Sequence, residues 1–270
     1  MRDMLLACSL LVVCLPACGA DEGVTVAEAR SALEESQVAA QAATVADGSV
    51  EISTHFTIGM AVEAAALQLR DFVASQLPCA KITLAGATLT VAYGAQPGAC
   101  TYKGQTFSGK HVVTVMKSDG EVVVSHSWEK LSNGRVEVSG TAMVTWSAAQ
   151  ASRHVVHQLH WTRLGDQRMA DGSGDRTQTT LSGGLLEGIK EDGSRTWKGA
   201  SGTWKLDIAG VEIRWVDPVP QAGRYTLTTP TGKELVLSFA RVDGDTIRVT
   251  IASGRKSLSL DVSSLGGISG

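Results

Sequence analysis

From Lys81 onward, apolar residues recur at every second position. In 135–146, Val136, Val138, Gly140, Ala142, Val144 and Trp146 alternate with Arg135, Glu137, Ser139, Thr141, Met143 and Thr145. The same alternation runs through Trp204, Leu206 and Ile208, then Val211, Ile213 and Trp215, and continues over 235–239, 247–251 and 258–262. A strand sends successive side chains to opposite faces, so this pattern makes one face apolar and the other wet. Antiparallel sheet has that property. Parallel sheet is covered on both faces and reads as unbroken apolar runs. Turn signals separate the segments at Asp119-Gly120, Asn133-Gly134, Asp192-Gly193, Thr231-Gly232 and Asp243-Gly244, which accounts for part of the high glycine content. The pattern predicts about a dozen strands joined largely as successive hairpins, in a sandwich or one strongly curved sheet.

Ahead of the strands the period is helical. Ile58, Val62, Ala65, Leu69, Phe72, Val73 and Leu77 form one stripe at helical spacing, and Pro78 stops it just before Cys79. This predicts a packed helix over 58–77. Further upstream, 19–49 is rich in Ala, Glu, Gln and Ser and has no aromatic residue. Thr25-Val26-Ala27-Glu28 fits a capping box, so a helix over 26–44 is expected, ended by Asp47-Gly48. Its thin apolar face suggests a spacer. The expected organisation is an export signal over 1–17, a tether over 18–49 and a β-rich domain over 50–270.

The export signal rests on the first eighteen residues. Arg2 precedes an apolar run from Met4 to Val13, too short to span a bilayer, which needs about 20 residues. It has the length of a signal-peptide core, with small residues after it. Leu15-Pro16-Ala17-Cys18-Gly19 resembles the bacterial lipobox, whose final cysteine is acylated and becomes the first residue after cleavage. An ordinary secretory signal that contains cysteines is the alternative. The resemblance implies lipidation at Cys18. Two or more acyl chains would meet the requirement for stable anchoring. Gly19 lacks the acidic residue that resembles an inner-membrane retention signal, so the expected location is the outer membrane of a Gram-negative cell, with the body in the periplasm or at the surface.

Cysteine usage agrees with export. Cys8 and Cys14 leave with the signal and Cys18 carries lipid, which leaves Cys79 and Cys100 as a pair. In an oxidising compartment these are expected to form a disulfide. It would close a loop of about 20 residues, worth roughly 3 kcal/mol.

The stretch that begins at Cys100, Cys-Thr-Tyr-Lys-Gly-Gln-Thr-Phe-Ser-Gly-Lys-His, carries Gly104 and Gly109. It is similar to a pattern in uncharacterised β-rich lipoproteins of Gram-negative bacteria, as is Trp-Val-Asp-Pro-Val-Pro at 215–220. This resemblance implies a secreted β-rich body and supplies no activity.

Five of the six histidines fall between positions 111 and 160. A two-residue turn at Asp119-Gly120 would put His111 opposite Trp128 and diagonal to His126. A three-residue loop at 132–134 would put His126 opposite Gly140. Diagonal partners lie about 7–8 Å apart at Cα, so His111, His126 and His157 are candidate ligands for a transition metal. The competing reading is neutral imidazoles hydrogen-bonded within a sheet, and it is preferred because no matching carboxylate or cysteine joins the set. Asp171, Ser173 and Asp175 alternate as at the start of a calcium loop, but Arg176 stands where its glycine belongs. A turn is expected there, and another at the similar stretch over 192–196.

Trp128, Trp146, Trp161, Trp204 and Trp215 are in phase with the apolar faces and read as core. Trp197, between Thr196 and Lys198, is the tryptophan expected to be exposed, as a candidate platform for a sugar ring. No nucleophile elbow, metalloprotease helix, phosphate loop or dinucleotide fingerprint is present, and no cofactor is implied. Twenty-four basic against 27 acidic side chains leave no footprint for nucleic acid. The sequence therefore predicts a non-enzymatic, lipid-anchored envelope protein with a structural or binding role, whose only named partner is the membrane. The alternatives are a carrier of lipid or another apolar ligand in a half-barrel, and a hydrolase or glycan-binding module acting on envelope polymers.

Overall fold

A computed structural model of the chain describes residues 23–54, 62–102, 105–118, 121–147, 152–214, 217, 219–263 and 268–269. Two helices come first, α1 (Val26–Thr54) and α2 (Val62–Gln76). Then follow β1 (Lys81–Ala85), β2 (Thr88–Tyr93), β3 (Thr101–Tyr102), β4 (Gln105–Thr106), β5 (Ser108–Ser118) and β6 (Glu121–Ser132). The long central strands are β7 (Val136–Ser147), β8 (Ser152–Arg163), β9 (Arg168–Leu181), β10 (Gly184–Gly199) and β11 (Gly202–Arg214). Shorter ones close the chain: β12 (Ala222–Thr228), β13 (Glu234–Arg241), β14 (Thr246–Ser253), β15 (Lys256–Ser263) and β16 (Ile268–Ser269).

Fourteen of these strands form one antiparallel sheet in sequence order, with β3 and β4 set aside as a small ribbon between β2 and β5. Of the two architectures that the alternation allows, the single curved sheet is the one formed. It stays open, with β1 and β16 as its edges. Glycine permits the curvature. At Gly140 (φ 143°) a Cβ would stand 2.2 Å from the Gln158 carbonyl oxygen on β8, and at Gly193 (φ 140°) it would stand 2.2 Å from that of Asp175 on β9. Neighbouring backbones approach there as no other residue would allow, and the sheet creases.

Helix α1 lies in the resulting concavity. Its capping box forms as expected: Thr25 N–H donates to Glu28 Oε2 at 2.7 Å, and Glu28 N–H to Thr25 Oγ1 at 3.2 Å. The helix is not a spacer, and it does not stop at Asp47-Gly48. Ala32, Ala42, Val45, Ala46 and Val50 are buried in the main core. The cost of one interior glycine, about 1 kcal/mol, is small beside the burial of Val45 and Val50 on either side of it. The thin alanine face that suggested a tether instead lets the helix seat closely on the sheet. Helix α2 covers the other end through Leu69 and Val73, joined by Leu77 just after it, all buried, with Phe72 edge-on to Tyr102. Of the expected stripe, Ile58 lies outside the described residues.

Two expected turns are strand. Asp192-Gly193 sits inside β10 at a bulge, and 171–175 sits inside β9, where it pairs with 194–198 of β10. The glycines of β9 make room for aromatic rings from β8. A Cβ on Gly172 would meet the Trp161 ring at 2.6 Å, and one on Gly174 would meet the His157 ring at 2.3 Å. Rings laid over glycines stabilise a strand that intrinsic propensity disfavours.

Candidate functional site

The β5–β6 hairpin closes at Ser118 opposite Glu121, so His111 faces Trp128 and Val113 faces His126, as the two-residue turn requires. His111 Nε2 and His126 Nδ1 are 3.0 Å apart, and the Tyr93 hydroxyl lies 3.5 Å from His111 Nδ1. Both rings stack with Trp128, whose Nε1 donates to Ser49 of α1 at 2.7 Å. Burial pushes the His111 imidazole down to about 3. It pushes His126 well below its ordinary value, with positive charge on Arg153 acting in the same direction. These are neutral rings in a hydrogen-bonded core.

His157 does not join them. The β6–β7 loop is longer than the three residues expected, with Ser132 opposite Glu137. After a one-residue shift at the bulge between Trp128 and Leu131, His126 faces Ala142 rather than Gly140. Ala142 in turn faces His157. Two strand spacings, roughly 10 Å, separate the third candidate from the pair. Among the described residues no group of three His, Cys, Asp or Glu side chains is placed to hold a metal. Asp171 and Asp175 point outward and engage His160 and His154 instead, at 2.8 and 2.6 Å. The calcium-like spacing is that of alternate residues on one face of a strand.

The charged centre of the concave face carries no motif. Arg176 on β9 is 1% exposed. Its Nη2 donates to Asp47 Oδ1 on α1 at 2.8 Å, and its Nη1 to Glu191 Oε1 on β10 at 2.9 Å. Arg195 stands 3.4 Å from the same Glu191 oxygen. Burial alone would raise the Asp47 and Glu191 carboxyls, but the Arg176 guanidinium overrides it and holds both below their ordinary range. The sequence did hold a signal: Arg176 is in phase with Gly172 and Gly174, which face inward, and a charge at an inward position needs a partner.

The outer face of the central strands holds a second arrangement. Ser139, His160, Asp171, Lys198 and Thr203 form one row across β7–β11, each opposite the next. Gln158, Ser173 and Thr196 form a parallel row two residues along. Between them run Gly140, Leu159, Gly172 and Trp197, and the whole lines a groove of about 520 Å3. Ser139, His160 and Asp171 stand in the order of a nucleophile, base and acid. However, Ser139 Oγ accepts the Lys130 N–H at 3.0 Å, turned toward β6, and among the described residues no hydrogen bond joins it to His160. A serine so placed is not activated.

Trp197 is buried, not exposed. It is 2% accessible and stacks on Trp204 with ring centroids 6.3 Å apart. With 192–193 in strand rather than turn, its register position faces the concave core. Cys79 and Cys100 are joined, with Cα atoms 5.3 Å apart. Cys18 lies outside the described residues, as do Trp215 and Gly104. No described helix is long and apolar enough to cross a membrane. Comparison of the chain with protein-family models, with curated proteins and with solved structures finds no match.

Proposed function

We propose that this chain is a lipid-anchored protein of the cell envelope with a structural or binding role and no catalytic one. The observation that carries this reading is the filling of the concave face. Where a half-barrel carrier would hold its cargo, α1 is seated and tied down at both ends. Glu28 accepts Lys233 Nζ at 2.9 Å near the helix start, and Asp47 meets Arg176 near its end. The anchor is supported by Leu15-Pro16-Ala17-Cys18 ahead of the folded body. Metabolic labelling with an alkyne-tagged palmitate tests it directly. Label should enter the wild-type chain in the outer-membrane fraction and be absent from Cys18→Ser. An unlabelled wild-type chain in the soluble periplasm would refute the anchor.

One observation favours the carrier as a second reading. Beyond α1 the concave face continues through Tyr225, Leu237, Ile251 and Leu258, which face one another across β12–β15. Leu258 is 63% exposed. Organic extraction of the purified chain separates the two readings. Stoichiometric lipid that is lost in Leu258→Asp supports carriage, whereas its absence supports the filled body.

A further inference from the structure

We propose that the outer-face groove across β7–β11 binds a short stretch of neutral, hydroxyl-rich glycan. This deepens the binding role above and rests on the envelope reading only for the source of such a polymer. The argument begins with the floor. Gly140 and Gly172 contribute no side chain, and Leu159 and Trp197 send theirs to the core, so bare backbone and carbon lie between the two polar rows. The walls carry hydroxyl, amide and imidazole groups from Ser173, Thr196, Gln158 and His160. A sugar ring has the complementary surface, with C–H faces and a rim of hydroxyls. The volume is within the range of small-molecule sites.

Charge narrows the class. Asp171 is held by His160 at 2.8 Å and stands opposite Lys198 in the next strand. The formal charges of the row, on Asp171 and Lys198, cancel, so it carries no net positive charge to draw a phosphate or sulfate and no net negative charge to draw a basic peptide. Strand addition is also unavailable to a peptide, because β7 to β11 are each paired on both sides. A ligand here must lie across the strands and read their outward side chains. The His160–Asp171 bond fixes the imidazole through Nδ1, leaving Nε2 as the ring's remaining polar atom.

The test is titration calorimetry of the full chain in mild detergent with a soluble tetramer of N-acetylglucosamine, repeated with a sulfated oligosaccharide of equal length. The wild type should bind the neutral tetramer, and Gln158→Ala should weaken binding about tenfold. Thr196→Trp should abolish it by filling the groove. Both positions face outward, and unchanged melting of each variant keeps the comparison valid. No binding at millimolar tetramer, equal binding by all three proteins, or preference for the sulfated ligand would each overturn the proposal. Fractionation of Cys18→Ser decides the envelope reading independently, since calorimetry does not depend on where the chain resides.

Discussion

Arg176 of β9 and Asp47 of α1 face each other through two hydrogen bonds, Nη2 to Oδ1 at 2.8 Å and Nη1 to Oδ2 at 3.2 Å. The pair joins the middle of the sheet to the last third of the helix across 129 residues of sequence. Glu191 shares Nη1 of the same guanidinium. One cation thus locks two strands and a helix together.

Removing one partner should therefore cost more than a surface ion pair does. Asp47→Ala leaves a guanidinium that is 1% exposed with Glu191 as its remaining close anion, so the loss should approach but stay below the roughly 3–5 kcal/mol of a buried charge left with no partner. The double change Asp47→Leu with Arg176→Met should recover much of that loss. Urea unfolding of the three variants measures both. A loss below about 1 kcal/mol for Asp47→Ala would show that the pair only decorates α1.

Acid should unfold the chain by way of the concave-face histidines. Burial holds His111 at about 3; burial, reinforced by Arg176, holds His157 at about 4; His126 also lies well below its ordinary value. In the unfolded chain all three return to near 6.5. The unfolded state then binds more protons, so stability is complete above about pH 6.5 and falls as pH drops toward 4, by at most about 1.4 kcal/mol per pH unit for each histidine. Below that range Asp47 and Glu191 add to the loss, because both are held ionised by Arg176. Unfolding free energies between pH 7 and 4 test this. His111→Phe should flatten the slope by one proton, and an unchanged slope would remove His111 from the account.

Glycine at the crease is expected to be irreplaceable where glycine in a turn is not. Gly140→Ala drives a methyl to 2.2 Å from the Gln158 carbonyl oxygen, whereas Gly134 in the β6–β7 loop has open space around it and only its φ of 83° to accommodate. Gly134→Ala should cost about 1–2 kcal/mol and Gly140→Ala about 2–4 kcal/mol. Thermal melts that rank the two alike would locate the curvature elsewhere.

The period-2 alternation made the strands legible, together with their in/out phase and even the His111–Trp128 pairing, because each follows from local chain geometry. What escaped was set by partners distant in sequence. Asp47-Gly48 reads as a stop until Val45 and Val50 are seen buried against strands far along the chain. Asp171-Gly172-Ser173-Gly174 reads as a turn until Trp161 and His157 are seen over its glycines. The misplacement of Trp197 followed from the matching error at Asp192-Gly193, since a strand through 192–198 turns it inward. The groove was illegible for a related reason: its walls take alternate residues from five strands, and only their register aligns them.

The disulfide offers a last test, because its stabilising effect is local as well as global. Cys79 follows the end of α2 and Cys100 precedes the β3–β4 ribbon, so the bond ties the helix to the far side of the β1–β2 hairpin. Cys79 also accepts the Gln96 N–H through its carbonyl, and Gly94 N–H points at the Cys100 sulfur at 3.0 Å. The closed segment has a sequence separation of 21, for which loop entropy predicts about 3 kcal/mol. Cys79→Ala with Cys100→Ala should lower stability by that amount. It should also raise hydrogen exchange first in α2 and the β1–β2 hairpin, leaving the β8–β11 amides protected. Uniform loss of protection across the sheet would mean that this end of the molecule does not open separately, and that α2 is held by Leu69, Val73 and Leu77 rather than by the bond.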